Sequence, residues 1–175
     1  MSLIKYIVGA VVVWSSFYVH ANEQVQYSVH ITNATQHLAK VSANFPAAKE
    51  DNPLVMLPVW RTGKYQVLPL ANGIRDFHAV NDKGENLVVD KVDKSSWRIR
   101  LPANNAFTVS YELYANELGS RTRHIDDTHA YLDASATFVY SEASKALPVS
   151  VALNVPETWQ SRSGMRSGMG ADASN

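Results

Sequence analysis

Strict two-residue alternation constrains this chain more than any other feature. Val25, Tyr27, Val29 and Ile31 alternate with Gln26, Ser28, His30 and Thr32. Ala39, Val41, Ala43 and Phe45 alternate with Lys40, Ser42 and Asn44. The pattern returns at Trp97–Leu101, Phe107–Leu113 and Val149–Val155. Successive side chains of a strand point to opposite faces, so each stretch reads as a strand with one buried and one wet face. No window shows sustained helical periodicity, although Ser141 to Ala146 could form one turn.

Turn chemistry separates these runs. Asn33-Ala34-Thr35-Gln36 links the first two. Asn81-Asp82-Lys83-Gly84 is a hairpin signal, because Gly takes the left-handed conformation without steric cost. Asp93-Lys94-Ser95 and Pro102-Ala103-Asn104-Asn105 mark further reversals. Frequent turns between short strands predict an all-β fold, an antiparallel β-sandwich of about eight or more strands.

The ends differ from this middle. Met1 to Lys5 is a short positive start, and Tyr6 to Val19 is uncharged and mostly apolar. Val19-His20-Ala21 then offers a small-residue cleavage site, so residues 1–21 read as a secretory signal peptide. The uncharged run is shorter than the ~20 residues of a spanning helix, which argues against a stable membrane anchor. The mature chain is therefore expected to be exported, periplasmic or secreted. Residues 22–160 form the expected sandwich domain. The small, polar segment 161–175, with Arg162-Ser-Gly-Met165 repeated at Arg166, reads as a disordered linker stub.

Composition excludes some classes. Net charge is +0, which lacks the basic excess of nucleic-acid binders. There is no cysteine, hence no disulfide or thiol chemistry. The sequence contains no His-Glu-x-x-His helix, no Gly-x-Ser-x-Gly elbow, no Ser-x-x-Lys pair and no phosphate-cradling glycine loop.

Chemistry-bearing residues concentrate in His124-Ile-Asp-Asp-Thr-His-Ala-Tyr-Leu-Asp133. As one strand, His124 and Asp126 face one side, and Asp127 and His129 the other. As one helix, the two histidines sit about 140° apart. Neither gathers the ligands of a metal, and only an irregular loop would, so no metal site is expected. The bland reading is a polar loop whose aspartates accept local backbone N–H groups. Arg121 and Arg123 could pair with Asp126 and Asp127 and order this loop, but exposed pairs contribute only about 0.2–1 kcal/mol, so positioning is their expected role. Trp60 and Tyr65 offer either an aromatic ligand platform or a plug for the sandwich edge, and the plug is expected because aromatics mostly supply core area. Asn33-Ala34-Thr35 fits the N-glycosylation pattern and equally a plain turn.

Two segments together resemble a known family. Leu57, Pro58, Trp60, Gly63, Tyr65, Phe77, Asp82, Gly84 and Trp97 match one pattern. Tyr111, Tyr114, Ala115, Asn116, Glu117, Leu118, Arg121, Thr122, Asp126, Asp127, Thr128, His129 and Tyr131 match the other. Both resemble the amino-terminal domain of the glycyl aminopeptidase-type zinc metallopeptidases. Thr62 departs from the pattern, standing where the family usually has Pro. Leu153 to Trp159 resembles the strand that closes that domain.

The resemblance implies a non-catalytic sandwich that packs against a thermolysin-like zinc domain of the same polypeptide. In that family zinc belongs to the later domain, so no catalytic residue, zinc ligand or cofactor is expected in this chain. It further implies that the Asp126, Asp127, His129, Tyr131 and Asp133 stretch contacts a peptide substrate's free amine. The alternative is a stand-alone exported sandwich that binds peptide, protein or carbohydrate.

Overall fold

The computed structural model describes residues 23–60, 67–119 and 122–166. The signal-peptide reading, Thr62, Gly63, Tyr65 and Arg121 lie outside the described residues, as does the tail from residue 167.

The described residues form twelve strands. They are β1 (Val25–Asn33), β2 (Leu38–Ala48), β3 (Leu54–Met56), β4 (Ile74–Asn81), β5 (Asn86–Leu87) and β6 (Val89–Lys91). Then follow β7 (Ser96–Ile99), β8 (Asn105–Tyr114), β9 (Arg123–Ile125), β10 (Ala130–Leu132), β11 (Tyr140–Ser141) and β12 (Val149–Asn154). One helical turn, α1 (Ala134–Thr137), lies between β10 and β11.

A six-stranded sheet runs β12-β1-β2-β8-β4-β5, and a four-stranded sheet runs β11-β3-β7-β6. Their apolar faces share one core, which gives the all-β sandwich the alternation predicts. Across the larger sheet, small residues sit beside large ones: Tyr27 pairs with Ala43, Ala43 with Val109, and Ala39 with Leu113. Phe45 and Phe107 face each other and stack at 5.0 Å. A one-residue slip would turn Val29, Val41 and Tyr111 out to water, at about 1.5–3 kcal/mol for each apolar side chain exposed, so burial fixes the register.

Irregularities do specific work. The β4–β8 register shifts between Arg75 and His78, where Asp76 has φ 49°. The bulge resets the parity of β4, so that Ile74 and Phe77 both pack against the core. Phe77 then stacks on Trp97 of the facing sheet at 4.4 Å, and Tyr111 flanks Phe77 at 5.9 Å. Pro46 sits in the β2–β8 shift between Phe45 and Ala48, where its missing N–H leaves no regular ladder bond unmade. Gly84, at φ +80°, completes the expected hairpin turn between β4 and β5.

Several expectations need correction. The alternating run Val149–Val155 does form a strand, but β12 pairs with β1 in parallel, not antiparallel. It is an edge strand, and Val149 and Leu153 remain exposed because the smaller sheet does not cover them. Trp60 is 56% exposed and does not plug the sandwich edge. Ser141–Ala146 makes three-residue turns, with the Ser144 and Leu147 amides donating to the Ser141 and Ser144 carbonyls. The α-helical turn falls instead at α1, where Asp133 accepts from the Ser135 amide.

Candidate functional site

The ten residues richest in ionisable groups fold as a hairpin of β9 and β10. Ala130 lies opposite Ile125, Tyr131 opposite His124 and Leu132 opposite Arg123. The Asp126 amide donates to the His129 carbonyl at 2.9 Å, which leaves Asp127 and Thr128 as the tip. The hairpin is tied to the end of β8, because the Ile125 amide donates to the Ala115 carbonyl and Asn116 bridges to His124.

The reversal changes the parity expected of a single strand or helix. Asp126 and His129 now stand opposite each other, and residues opposite in an antiparallel pair share a face. His124, two residues before Asp126, shares that face too. His124 Nε2 is 3.0 Å from Asp126 Oδ2, and His129 Nδ1 is 3.3 Å from Asp126 Oδ1. The expected divergence of these side chains is therefore overturned: an intervening tight turn brings them together.

Asp126 organises the tip. Its Oδ1 accepts from the Thr128 amide at 2.8 Å, the Thr128 hydroxyl at 2.7 Å and the His129 amide at 2.9 Å. The Thr128 hydroxyl, then His124, then the two amides hold the Asp126 carboxyl well below the usual carboxylate range. This is the local aspartate-to-backbone bonding that the sequence predicts. His124 is buried, and its Nδ1 has no hydrogen-bond partner among the described residues. With Asp126 ionised, we assign the His124 proton to Nε2, where it donates to the carboxylate.

The other candidates are held differently. Asp133 caps α1, accepting from the Ser135 amide at 3.0 Å and the Ser135 hydroxyl at 2.7 Å. Tyr131 is 44% exposed on the His124 side of the hairpin. Asp127 is exposed at the tip and makes no hydrogen bond or ion pair with the described residues. It is thus the carboxylate of the tip that is open to an incoming cation.

Arg123 does not make the ion pair considered for it. It is 4% exposed and does not pair with Asp126 or Asp127. Its guanidinium donates to the carbonyls of Tyr114 at 3.2 Å, Leu70 at 2.6 Å and Ala136. Burial lowers the pKa of Arg123 from its ordinary value. One cation thereby joins the end of β8, the turn before β4 and α1, and the hairpin grows from that joint. The pattern reading also passed over His37. Its Nδ1 bonds the Ile125 carbonyl, and its ring lies 5.8 Å from that of His124. No local signal marks it, since 88 residues separate the bonded pair.

Residues 26–174 match the family described as Peptidase M61 N-terminal domain. No curated protein matches the chain. Among solved structures, an aminopeptidase N family protein from Idiomarina loihiensis is similar, with a TM-score of 0.70 and 24% identity. That similarity covers 77% of this chain and 22% of the other, so this chain spans about a fifth of that protein's length. At this identity the likeness shows the fold. A GH20 exo beta-N-acetylglucosaminidase from Vibrio harveyi also matches, at a TM-score of 0.30 and 10% identity, over 82% of this chain and 20% of that one. A TM-score of 0.30 carries no argument about either fold or function.

Proposed function

The chain belongs to the Peptidase M61 N-terminal domain family, and from that premise we propose that it is the non-catalytic sandwich of an exported zinc metallo-aminopeptidase. The family match across residues 26–174 carries this reading. The similar fold in an aminopeptidase N family protein supports it. The domain packs against a catalytic domain of the same polypeptide and helps to form the wall of its substrate cleft. Export rests on the positive start and uncharged run of residues 1–19.

Zinc in this reading belongs to the catalytic domain. The 175 residues hold no His-Glu-x-x-His pair that fits the peptidase ion, so no step of peptide hydrolysis is assigned to them.

The role left to this domain is substrate placement. A peptide's free α-amine is an ammonium group near neutral pH, and a carboxylate meets it with a charge-assisted hydrogen bond. The hairpin supplies that carboxylate as Asp127. Asp126 and Asp133 shape the loop by bonding its own amides and hydroxyls, while His129 and Tyr131 flank it. Substituting the counterpart of Asp127 by Asn in a full-length enzyme should lower kcat/KM for free-amine peptides about tenfold, a loss of ~1.4 kcal/mol. N-acetylated peptides, lacking the cation, should show no such loss. Equal effects on both substrates would defeat the assignment.

A further inference from the structure

We propose that His124, Asp126 and His129 form a binding site for a divalent transition metal of the zinc class. This site is separate from the peptidase zinc and rests on no family reading. The potential ligand atoms of the three residues all lie within 4.8 Å of one another. A tetrahedral centre with metal–ligand bonds of about 2.0 Å has neighbouring ligand atoms about 3.3 Å apart. The His124 Nε2–Asp126 Oδ2 separation of 3.0 Å already has that spacing, while His129 Nδ1 lies 3.3 Å from the other carboxylate oxygen and 2.9 Å from the Thr128 hydroxyl. On binding, the exposed His129 ring would exchange its contact with the Thr128 hydroxyl for the ion.

The fold supplies the ligands in place. Antiparallel register sets His124 and the tip on one face, and the turn fixes the Asp126 carboxylate through three local donors on Oδ1. Oδ2 remains for the ion. The His124 side chain is nine-tenths buried and directs Nε2 into the cluster, where its bond to Asp126 is the contact an ion would replace. Groups held this way lose little freedom on binding. Exposed His129 and the tip leave the remaining coordination positions open to solvent.

Donor chemistry selects the ion. Two imidazoles and one carboxylate suit Zn2+, Co2+ or Ni2+, whereas Ca2+ and Mg2+ prefer shells of oxygen. The surroundings also limit the affinity. When Nε2 binds metal, the His124 ring proton moves to Nδ1, which finds no acceptor among the described residues. Loss of such an outer hydrogen bond typically weakens metal affinity about 10–100-fold. The site should therefore hold its ion more weakly than one with a complete outer shell, and exchange it more readily.

The test uses the full 175-residue chain without a histidine tag, stripped by chelator. Calorimetric titration with Zn2+ should show one ion per chain, and Co2+ should give a visible ligand-field band that Zn2+ bleaches. Ca2+ and Mg2+ should give neither signal. His129→Ala, at an exposed position, should weaken Zn2+ binding at least about 10-fold. His30→Ala and His78→Ala, at exposed histidines elsewhere, should leave it unchanged. NMR of the unsubstituted chain should show the His124 and His129 imidazoles moving on Zn2+ addition. No binding, or binding that His129→Ala leaves at full strength, overturns the proposal.

Discussion

Gly73 makes room for Arg123. A Cβ added at position 73 would strike the Arg123 guanidinium and lie 2.6 Å from the Tyr114 carbonyl oxygen, the same oxygen that accepts from Arg123 Nε. The absent side chain of one residue is thus what lets the buried cation of the other reach its three carbonyls.

Gly73→Ala is therefore expected to destabilise the domain by roughly 1–3 kcal/mol, the usual penalty for overpacking, since a backbone oxygen yields less readily than a side chain. Arg123→Met keeps the length but abandons three carbonyls and is expected to cost roughly 3 kcal/mol. The midpoint of urea unfolding at constant slope measures both. If the two changes act through one joint, the double substitution will cost less than the sum of the singles.

The Phe77–Trp97 stack joins the two sheets. Phe77→Ala should cost about 3–5 kcal/mol, because it opens a cavity between Trp97 and Tyr111. A double-substitution cycle with Trp97→Ala should give a coupling of about 0.5–1.5 kcal/mol. No coupling would mean that the aromatic stacking adds nothing beyond burial.

Acid should loosen the hairpin tip. The folded Asp126 pKa is depressed, so its stabilising contribution is present above the unfolded carboxylate value of about 3.9 and lost as pH falls through the lower folded value. The Thr128 and His129 amide resonances should show an acid transition that lies below the ordinary carboxylate range. Asp126→Asn should abolish that acid transition. A midpoint near the ordinary carboxylate value would show that these hydrogen bonds do not favour the ionised form.

Alkali acts on the other side of the core. Tyr27 donates to the Val139 carbonyl at 2.8 Å, and burial pushes its pKa up to about 12. Burial likewise raises Tyr111, which donates to the Thr137 carbonyl at 2.6 Å. A raised folded pKa gives stability that is complete below the unfolded value of about 10 and lost as pH rises toward 12. Stability should fall through that window, and ultraviolet titration should show two tyrosines ionising late. Tyr27→Phe should cost about 1 kcal/mol at neutral pH and flatten part of the alkaline decline.

The strands were legible because burial repeats every second residue and each run could be read alone. Val25–Ile31 and Phe107–Leu113 carry their core face in plain sight. Pairing direction was not legible: β12 has the same alternation whether its neighbour runs parallel or antiparallel. The convergence of His124, Asp126 and His129 was hidden for a different reason. Periodicity assumes an unbroken element, and the turn at Asp127–Thr128 resets the count between the two histidines. Arg123 looked like surface charge because its partners are carbonyls of Leu70, Tyr114 and Ala136, groups that every residue type carries. The His37 contact depends on tertiary folding alone.

The parallel seam between β1 and β12 bears on the timing of synthesis. Strands near the two ends of the described chain sit side by side, and the Tyr27 hydroxyl waits for a carbonyl 112 residues further on. Contacts of such long range slow folding, because a large loop must close before they form. Until β12 arrives, the outer edge of β1 displays open amide and carbonyl groups to any passing strand. A nascent chain halted before Pro148 should therefore be more prone to clump than to unfold cleanly. Keeping the polypeptide extended until its final strand emerges is the safer course for this topology.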